Sequence, residues 1–176
     1  MSQVLIRTMP LFAFLFLGCS SLSVKNYASE TPALKLEEFF NGDIDAYGIF
    51  QDRQGRVVKR FYVYIKANWV GDIGTLHESF EYSDGTRSKR VWTLVRRGGN
   101  VYSGTASDVV GEARGEVAGN AFSWKYVLNL EVGESHYHVK FDDWMFLMSD
   151  KIMLNKAKMT KFGIDLGEVN LTFVRR

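Results

Sequence analysis

Apolar and polar residues alternate with a period of two along most of the chain from residue 43 onward. In residues 61–69 the odd positions are Phe, Val, Ile, Ala and Trp, and the even positions are Tyr, Lys and Asn. In residues 122–130 the even positions are all apolar or aromatic. Successive side chains of a strand point to opposite faces of its sheet, so the alternation predicts strands with one apolar and one mixed face.

Short runs that contain Gly, Asn, Asp or Ser separate the alternating segments and are typical of tight turns. Neither of the two prolines of the chain interrupts the region that follows residue 43, so a continuous antiparallel meander is allowed. The runs divide the chain into about ten predicted strands. These are residues 46–51, 61–69, 74–82, 87–96, 101–106, 109–117, 122–130, 136–147, 152–161 and 169–174.

An antiparallel sheet of this size tends to close on itself, because closure removes the exposed edge strands. Residues 32–176 are therefore predicted to form one all-β domain, an antiparallel up-and-down barrel of the lipocalin kind. A sandwich of two sheets is the alternative. Before the first strand, Thr31 suits an N-cap and Pro32 suits the first helical position, which predicts one short N-terminal helix that ends near Asn41.

The first 18 residues have the layout of a secretory signal. One basic residue, Arg7, precedes a short apolar run that ends at Gly18 and Cys19. The run is shorter than the roughly 20 residues that a membrane-spanning helix requires. Gly18 and Cys19 resemble the lipobox of bacterial lipoproteins, although Phe16 stands where leucine is usual.

The lipobox resemblance implies that the signal, residues 1–18, is removed and that Cys19 receives acyl chains such as palmitate. Residues 19–31 would then be a flexible tether between the membrane and the barrel. Ser20 follows the cysteine instead of an aspartate, which favours delivery to the bacterial outer membrane with the domain on the periplasmic face. Several acyl chains make such an anchor effectively permanent. A soluble periplasmic protein with an incidental cysteine is the alternative.

Two segments early in the predicted domain carry a family resemblance. They are Leu-Glu-Glu-Phe-Phe-Asn-Gly at residues 36–42 and Ala-Tyr-Gly-Ile-Phe-Gln-Asp-Arg at residues 46–53, and Arg60 and Phe61 follow them. They resemble the opening of an uncharacterised proteobacterial lipoprotein family known only as a domain of unknown function. The resemblance extends over most of the chain and implies a calycin-like barrel. It transfers no catalytic residues.

Composition narrows the class of protein further. The chain has 22 Lys and Arg against 20 Asp and Glu side chains, so it is close to neutral and does not favour binding to nucleic acid. Cys19 is the only cysteine, and once it is lipidated no disulfide can form within the chain. Stability must then come from packing, for which 13 Phe, 8 Tyr and 4 Trp supply the apolar area.

The three histidines of the chain are candidates for metal chemistry. His136 and His138 are one residue apart, so on a strand they share a face. Together with His77 from another strand they could bind zinc, with Asp142 as the hydrogen-bond partner of a ligand. This spacing is common by chance, however, and nothing in the sequence places His77 beside the other two. The favoured interpretation is three polar side chains on a solvated or barrel-lining face, and no cofactor is predicted.

A second candidate is a lining of aromatic and basic side chains, Tyr62 and Tyr64 on one strand and Arg90 and Trp92 on another. Pointing inward, they would suit a carboxylate headgroup bound by arginine and an apolar chain against the rings. Pointing outward, they would be an ordinary solvated face. For the even-numbered side chains among residues 60–66 the outward orientation is favoured, because the odd-numbered side chains are more apolar and suit the core better.

Residues 144–148 are apolar on both faces of their predicted strand. A strand covered on both sides would have this composition, and so would a rim exposed to lipid or to a protein partner. The covered arrangement is favoured.

The predicted function is an outer-membrane lipoprotein whose barrel binds or carries a small amphipathic molecule, such as a fatty acid or a lipid fragment. A structural or protein-interaction lipoprotein with a filled barrel is the first alternative. A zinc-dependent enzyme that uses the histidines is the second. No P-loop, dinucleotide fingerprint, nucleophile elbow or metalloprotease motif occurs in the sequence, so an enzyme is the weaker prediction.

Overall fold

Residues 22–176 of the chain are described by a computed structural model, and they fold into ten strands preceded by two short helical turns. Cys19 and the predicted signal lie outside the described residues. The helical elements are the 3₁₀ turn Val24–Tyr27 and the one-turn helix α1, Leu36–Phe39. The strands are β1 Gly42–Asp52, β2 Val57–Val70, β3 Ile73–Tyr82, β4 Arg87–Arg96, β5 Val101–Thr105, β6 Ala113–Ala118, β7 Ala121–Val132, β8 Ser135–Leu147, β9 Ile152–Lys161 and β10 Ile164–Arg175.

Each strand pairs antiparallel with its neighbour in sequence, and β10 also pairs with β1, so the sheet closes into a barrel. Closure gives each of these ten strands a paired neighbour on both sides, although β4 and β7 are only partly paired with the short strands β5 and β6. The predicted all-β, up-and-down barrel of the lipocalin kind is confirmed, and the two-sheet sandwich is excluded. Within residues 22–176, neither helical turn has the length and apolar character needed to cross a bilayer.

Odd-numbered residues of β2 and β8 point into the barrel. Val63 and Ile65 on β2, and Met145 and Leu147 on β8, are all buried, whereas the even positions between them are more exposed. The face that the sequence predicted to be apolar is therefore the inner face. It carries most of the apolar area that stabilises the barrel.

The predicted strand at residues 109–117 begins as a loop and becomes β6 only at Ala113. Val109 makes a single bridge to Leu128 of β7 and packs against the core, so its apolar character comes from packing without a strand ladder. Strands β5 and β6, on either side of this loop, are consequently the shortest of the described barrel.

The hairpin between β9 and β10 turns at Phe162 and Gly163, which the sequence pattern did not predict. Both residues have a positive φ, 51° and 79°. This conformation is ordinary for glycine and uncommon for an aromatic residue, so Phe162 gives no turn signal. As a result β10 begins at Ile164 instead of residue 169.

Helix α1 plugs one end of the barrel. Its residue Leu36 and the following Phe40 are 1% and 4% exposed, and the Phe40 ring meets the Phe173 ring edge-on at a centroid distance of 5.4 Å. Trp69 Nε1 donates a hydrogen bond to the Phe40 carbonyl oxygen at 2.9 Å. Tyr102 of β5 reaches the same helix from the wall. Helix α1 is therefore fixed to the barrel by packing and by hydrogen bonds.

The predicted start of the helix is wrong. Helix α1 begins at Leu36 after Lys35, which makes no side-chain capping hydrogen bond, and the Thr31–Pro32 peptide lies before it in the cis form. Leu34 N donates to the Gly119 carbonyl oxygen at 2.8 Å. The stretch around Pro32 is thus tied to the β6–β7 turn and is not part of a helix.

The 3₁₀ turn packs on the outer wall of the barrel. Val24 is buried against Ala118 and Ala121, and the Tyr27 ring lies edge-on to the rings of Trp144 and Phe146 at 6.1 and 5.2 Å. Residues 144–147 are therefore covered on both sides, as favoured above, whereas Met148, the last residue of the predicted segment, is 56% exposed. The covering element is this turn, which the sequence placed in a tether, and the barrel-packed part of the chain starts at Val24.

Candidate ligand-binding cavity

The barrel encloses a cavity of about 320 Å³ at its centre. Its walls are mainly apolar. The end of the cavity nearest helix α1 is called the floor here. Between the floor and the helix lies a second, small cavity of about 40 Å³, which is lined by Leu36 and Phe40 among others. The opposite end reaches the rim of the barrel, where Lys59 is 36% exposed. The aromatic side chains of the lining include Phe61, Phe80, Trp92, Trp124, Tyr126 and Phe141.

The aromatic rings of the lining contact each other from strand to strand. The ring centroids of Trp92 and Trp124 are 4.8 Å apart, and Tyr126 lies 5.6 Å from Trp92 and 5.2 Å from Trp124. Phe141 stacks on Tyr126 at 5.1 Å. These contacts hold the rings in fixed orientations, so an apolar guest would meet a rigid aromatic wall.

Asp143 is a buried carboxylate in this otherwise apolar wall, with only 4% of the residue exposed. Its Oδ2 accepts hydrogen bonds from Trp124 Nε1 at 3.0 Å and Tyr126 Oη at 3.1 Å, and its Oδ1 accepts one from Asn155 Nδ2. Burial raises the pKa of Asp143 to about 6, although the three hydrogen bonds oppose the shift. Asp143 is thus fully partnered and positions the rings around it.

A second polar group lies across β3, β4 and the loop that follows β5. Arg90 Nε and Nη2 donate to Asp108 Oδ2 at 2.9 and 2.7 Å, and Arg90 Nη1 is 3.9 Å from Glu78 Oε2. Burial raises the pKa of Glu78 to about 7, with Arg90 opposing the shift and Asp108 and Asp143 adding to it. The buried atoms Glu78 Oε2 and Asp108 Oδ1 have no hydrogen-bond partner among residues 22–176.

Two of the four predicted lining residues lie in the cavity and two do not. Arg90 and Trp92 line it. Tyr62 and Tyr64 are on the outer face, where their hydroxyls donate to Asp45 and, at 2.6 Å, to Asp43. The favoured outward orientation of the even-numbered residues among 60–66 is therefore confirmed, and the assignment of the two tyrosines to a ligand site is wrong.

The three histidines are not brought together. His77 lies exposed on β3, and His136 and His138 lie exposed on β8. Four strands separate β3 from β8 in either direction around the closed barrel, so these outward side chains are on opposite sides. No group of three His, Cys, Asp or Glu side chains that could hold a metal ion occurs in residues 22–176. The zinc site considered as a candidate from the sequence is not formed by residues 22–176.

Asp142, the predicted partner of a zinc ligand, also points outward. It contacts Lys125 Nζ at 3.1 Å and accepts a hydrogen bond from Trp144 Nε1 at 3.0 Å. It is an ordinary member of the outer wall.

The carboxylates of the cavity were not predicted from the sequence. Glu78 shares its parity with the inward Leu76 and Phe80, and Asp143 shares its parity with the inward Phe141 and Met145. An acidic residue on the apolar face of a predicted strand was the signal that could have found both. Asp108 lies in a loop, where periodicity gives no signal.

A closed ten-stranded antiparallel barrel with a one-turn plug and an apolar central cavity defines a lipocalin-like barrel. The chain belongs to the family described as protein of unknown function, DUF3833, whose model matches residues 13–175. The family resemblance noted in the sequence is thereby confirmed. No curated protein matches the chain.

Two solved structures are similar to this barrel. The S-type phycobiliprotein lyase CPES from Guillardia theta is 10% identical, with a TM-score of 0.59 over 81% of this chain and 93% of that chain. A de novo designed fluorescence-activating β-barrel is 11% identical, with a TM-score of 0.44 over 81% of this chain and 99% of that chain. At these identities the likeness to the lyase shows the fold alone.

Proposed function

We propose that this protein binds a small, largely apolar ligand in the central cavity of its barrel. The observation that carries the proposal is the cavity of about 320 Å³, lined by rings that are held in place. Pockets for small molecules range from roughly 300 to 1,000 Å³ and combine apolar walls with a few polar groups. A closely packed interior leaves few voids larger than a water molecule, so the cavity speaks against a filled, purely structural barrel.

The proposal includes attachment of the protein to the outer membrane through lipidated Cys19, with the barrel in the periplasm. The lipobox resemblance at Gly18 and Cys19 supports it. The chain packs on the barrel from Val24 onward. Five residues span at most about 18 Å, so such an anchor would hold the barrel close to the bilayer surface. A carrier of amphiphiles would benefit from that proximity, because its ligand dissolves in the membrane.

Ligand binding in the cavity can be tested with a variant whose larger side chain fills the cavity. Ala157 of β9 lines the cavity and is 2% exposed, and Leu154 on the outer face of the same strand is 41% exposed. Barrel closure and the plug involve only described residues, so the soluble fragment 22–176 is suitable. We expect saturable binding of the neutral probe N-phenylnaphthylamine to this fragment. We expect Ala157→Phe to abolish binding, because the added ring occupies the lumen.

Leu154→Phe is the matched control, since it adds a ring outside the barrel and should leave binding unchanged. Circular dichroism confirms that both variants are folded. Absence of saturable binding by the unmodified fragment, or equal binding by a folded Ala157→Phe variant, would overturn the proposal.

Anchoring is tested separately in cells that express the full chain. With Cys19 intact, radioactive palmitate should label the protein, and the protein should sediment with outer membranes. Cys19→Ser should remove the label. An unlabelled, soluble protein with Cys19 intact would refute the anchor and leave the cavity proposal standing.

A further inference from the structure

The floor of the cavity has more hydrogen-bond acceptors than donors. Trp124, Tyr126 and Asn155 donate to Asp143, and two guanidinium nitrogens donate to Asp108. The buried atoms left without a partner in this group are carboxylate oxygens of Glu78 and Asp108. A buried acceptor without a donor is costly, and Glu78, unlike Asp108, lines the cavity, so a ligand that brings a donor to Glu78 would be favoured.

The charges at the floor also favour a ligand that donates hydrogen bonds. Glu78 and Asp108 flank one cationic side chain, Arg90, and the charge of Asp143 also acts on Glu78. Arg90 already makes two hydrogen bonds to Asp108. At the rim, Lys59 pairs with Asp84 at 2.9 Å. A carboxylate headgroup, as considered from the sequence, would therefore meet the carboxylates of Glu78 and Asp143. Among the described residues, the cation beside Glu78 is Arg90, which is already paired with Asp108, so burying a further negative charge there is unfavourable.

Aromatic rings line the cavity together with the unpartnered carboxylate. Glu78, Trp92 and Trp124 line both the central cavity and the small cavity beneath it, so the carboxylate and the rings share the floor. Tyr126 lies within 5.6 Å of both indoles. Ring faces attract cations, most strongly where water is excluded.

We propose that the polar end of the cavity ligand is a protonated amine, which donates hydrogen bonds to Glu78 and lies against the faces of Trp92, Trp124 and Tyr126. This inference rests on the proposed function, because it names the chemical class of the ligand that the cavity binds. An amphiphile with an ammonium head would satisfy the acceptor at the floor and leave its apolar chain along the aromatic wall.

Three probes of equal chain length test the charge preference: decylammonium, decanol and decanoate. Binding to fragment 22–176 is measured by calorimetry at about pH 8, where an alkylamine is protonated and Glu78, with a pKa of about 7, is ionised. We expect decylammonium to bind at least about tenfold more tightly than decanol, because a charge-assisted hydrogen bond is worth that factor. Decanoate should bind most weakly.

The outcomes separate the two proposals. If none of the three probes binds although N-phenylnaphthylamine does, the ammonium inference is overturned and the cavity proposal stands. If N-phenylnaphthylamine does not bind either, the proposed function fails. If decanol or decanoate binds as tightly as decylammonium, or more tightly, the cavity binds ligands and only the ammonium inference is overturned.

Two variants on β3 test whether Glu78 causes the preference for decylammonium over decanol. Glu78→Gln keeps the shape of the side chain and removes its charge, so the advantage of decylammonium over decanol should fall at least about tenfold. Glu81→Gln is the matched control, since Glu81 is an exposed carboxylate that pairs with Arg87 on the outer face. It should leave the ratio of the two affinities unchanged. An unchanged ratio in Glu78→Gln would overturn the assignment of Glu78.

Discussion

Arg90 and Asp108 join a strand of the barrel to a loop through two hydrogen bonds that end on one carboxylate oxygen, at 2.9 and 2.7 Å. The contact lies where the sheet is incomplete. Strand β5 pairs only with residues 93–96 of β4, so the rest of β4 has no β5 neighbour. The Asp108 carbonyl oxygen also accepts a hydrogen bond from Asn129 N of β7 at 2.8 Å. Asp108 thus closes the wall between β4 and β7 with a side chain and a loop.

Removal of this contact should destabilise the barrel. Asp108→Ala leaves Arg90 without its partner, and both side chains are largely buried, with 22% and 32% exposed. We expect the free energy of unfolding to fall by about 1–3 kcal/mol, between the values for exposed and fully buried pairs. Urea denaturation followed by tryptophan fluorescence measures the change.

Glu81→Ala is the control for that experiment, because Glu81 and Arg87 form an exposed ion pair on the outer face, with 54% and 77% of their side chains exposed. Exposed pairs contribute at most about 1 kcal/mol. Equal losses in the two variants would show that the contact between Arg90 and Asp108 does not stabilise the wall.

The buried carboxylates predict that the protein is less stable at neutral pH than at mildly acidic pH. Burial raises the pKa of Glu78 from 4.5 to about 7 and that of Asp143 from 3.8 to about 6. The native state therefore holds these protons more tightly than the unfolded state does. The stabilising contribution of these two groups is complete below their ordinary pKa values and is lost as the pH rises through the window from about 4 to 7.

Carboxylates with lowered pKa values do not cancel this slope. The pKa of Glu112, for example, is lowered to about 2, so its contribution to stability is already complete above its ordinary value of 4.5. We expect urea midpoints of fragment 22–176 to decrease between about pH 5 and pH 8. Glu78→Gln should flatten this decrease. A midpoint that rises over the same range in the unmodified fragment would contradict the raised pKa values.

The plug formed by helix α1 should contribute strongly to stability. Leu36 is 1% exposed and lines the small cavity at the end of the barrel. Leu36→Ala should lower the free energy of unfolding by about 2–5 kcal/mol, through lost burial and the enlarged cavity. Leu22, which is 63% exposed, gives the control variant Leu22→Ala, with an expected change within about 0.5 kcal/mol. A loss below about 1 kcal/mol for Leu36→Ala would mean that the barrel does not depend on its plug.

The fold could be predicted because its main signal is local. The alternation in residues 61–69 identified the inner face of β2, and the turn residues identified most hairpins. The prediction fails where the type of a residue does not indicate its backbone conformation. Val109 has the composition of a strand and lies in a loop, and Phe162 has a positive φ at a turn. Neither departure follows from periodicity, because tertiary packing decides both.

The candidate site was predicted less well than the fold, because it depends on contacts between distant segments. Arg90 and Trp92 were identified as possible lining residues, but the partner of Arg90 comes from a loop 18 residues later. The cover of residues 144–147 comes from Tyr27, more than a hundred residues earlier in the chain. Strand parity can indicate that a carboxylate such as Glu78 faces inward. It cannot indicate which charges it will meet there.

The contact between the N-terminal segment and the barrel depends on a glycine. Gly119, in the β6–β7 turn, has a φ of +55°, and a side-chain carbon there would overlap the Tyr27 carbonyl oxygen. Gly119→Ala should therefore displace the 3₁₀ turn and uncover Trp144 in addition to the roughly 1–2 kcal/mol cost of a left-handed alanine. Gly111→Ala is the control, because Gly111 has a φ of +73° with no atom within 4 Å of such a carbon.

Gly111→Ala should show only the loss of stability that an alanine with a positive φ causes. Limited proteolysis with trypsin tests the displacement, since Lys25 lies within the 3₁₀ turn. We expect cleavage after Lys25 to be faster in Gly119→Ala than in Gly111→Ala, together with a red shift of tryptophan fluorescence in the former. Identical cleavage rates in the two variants would show that the segment does not require the close approach at Gly119.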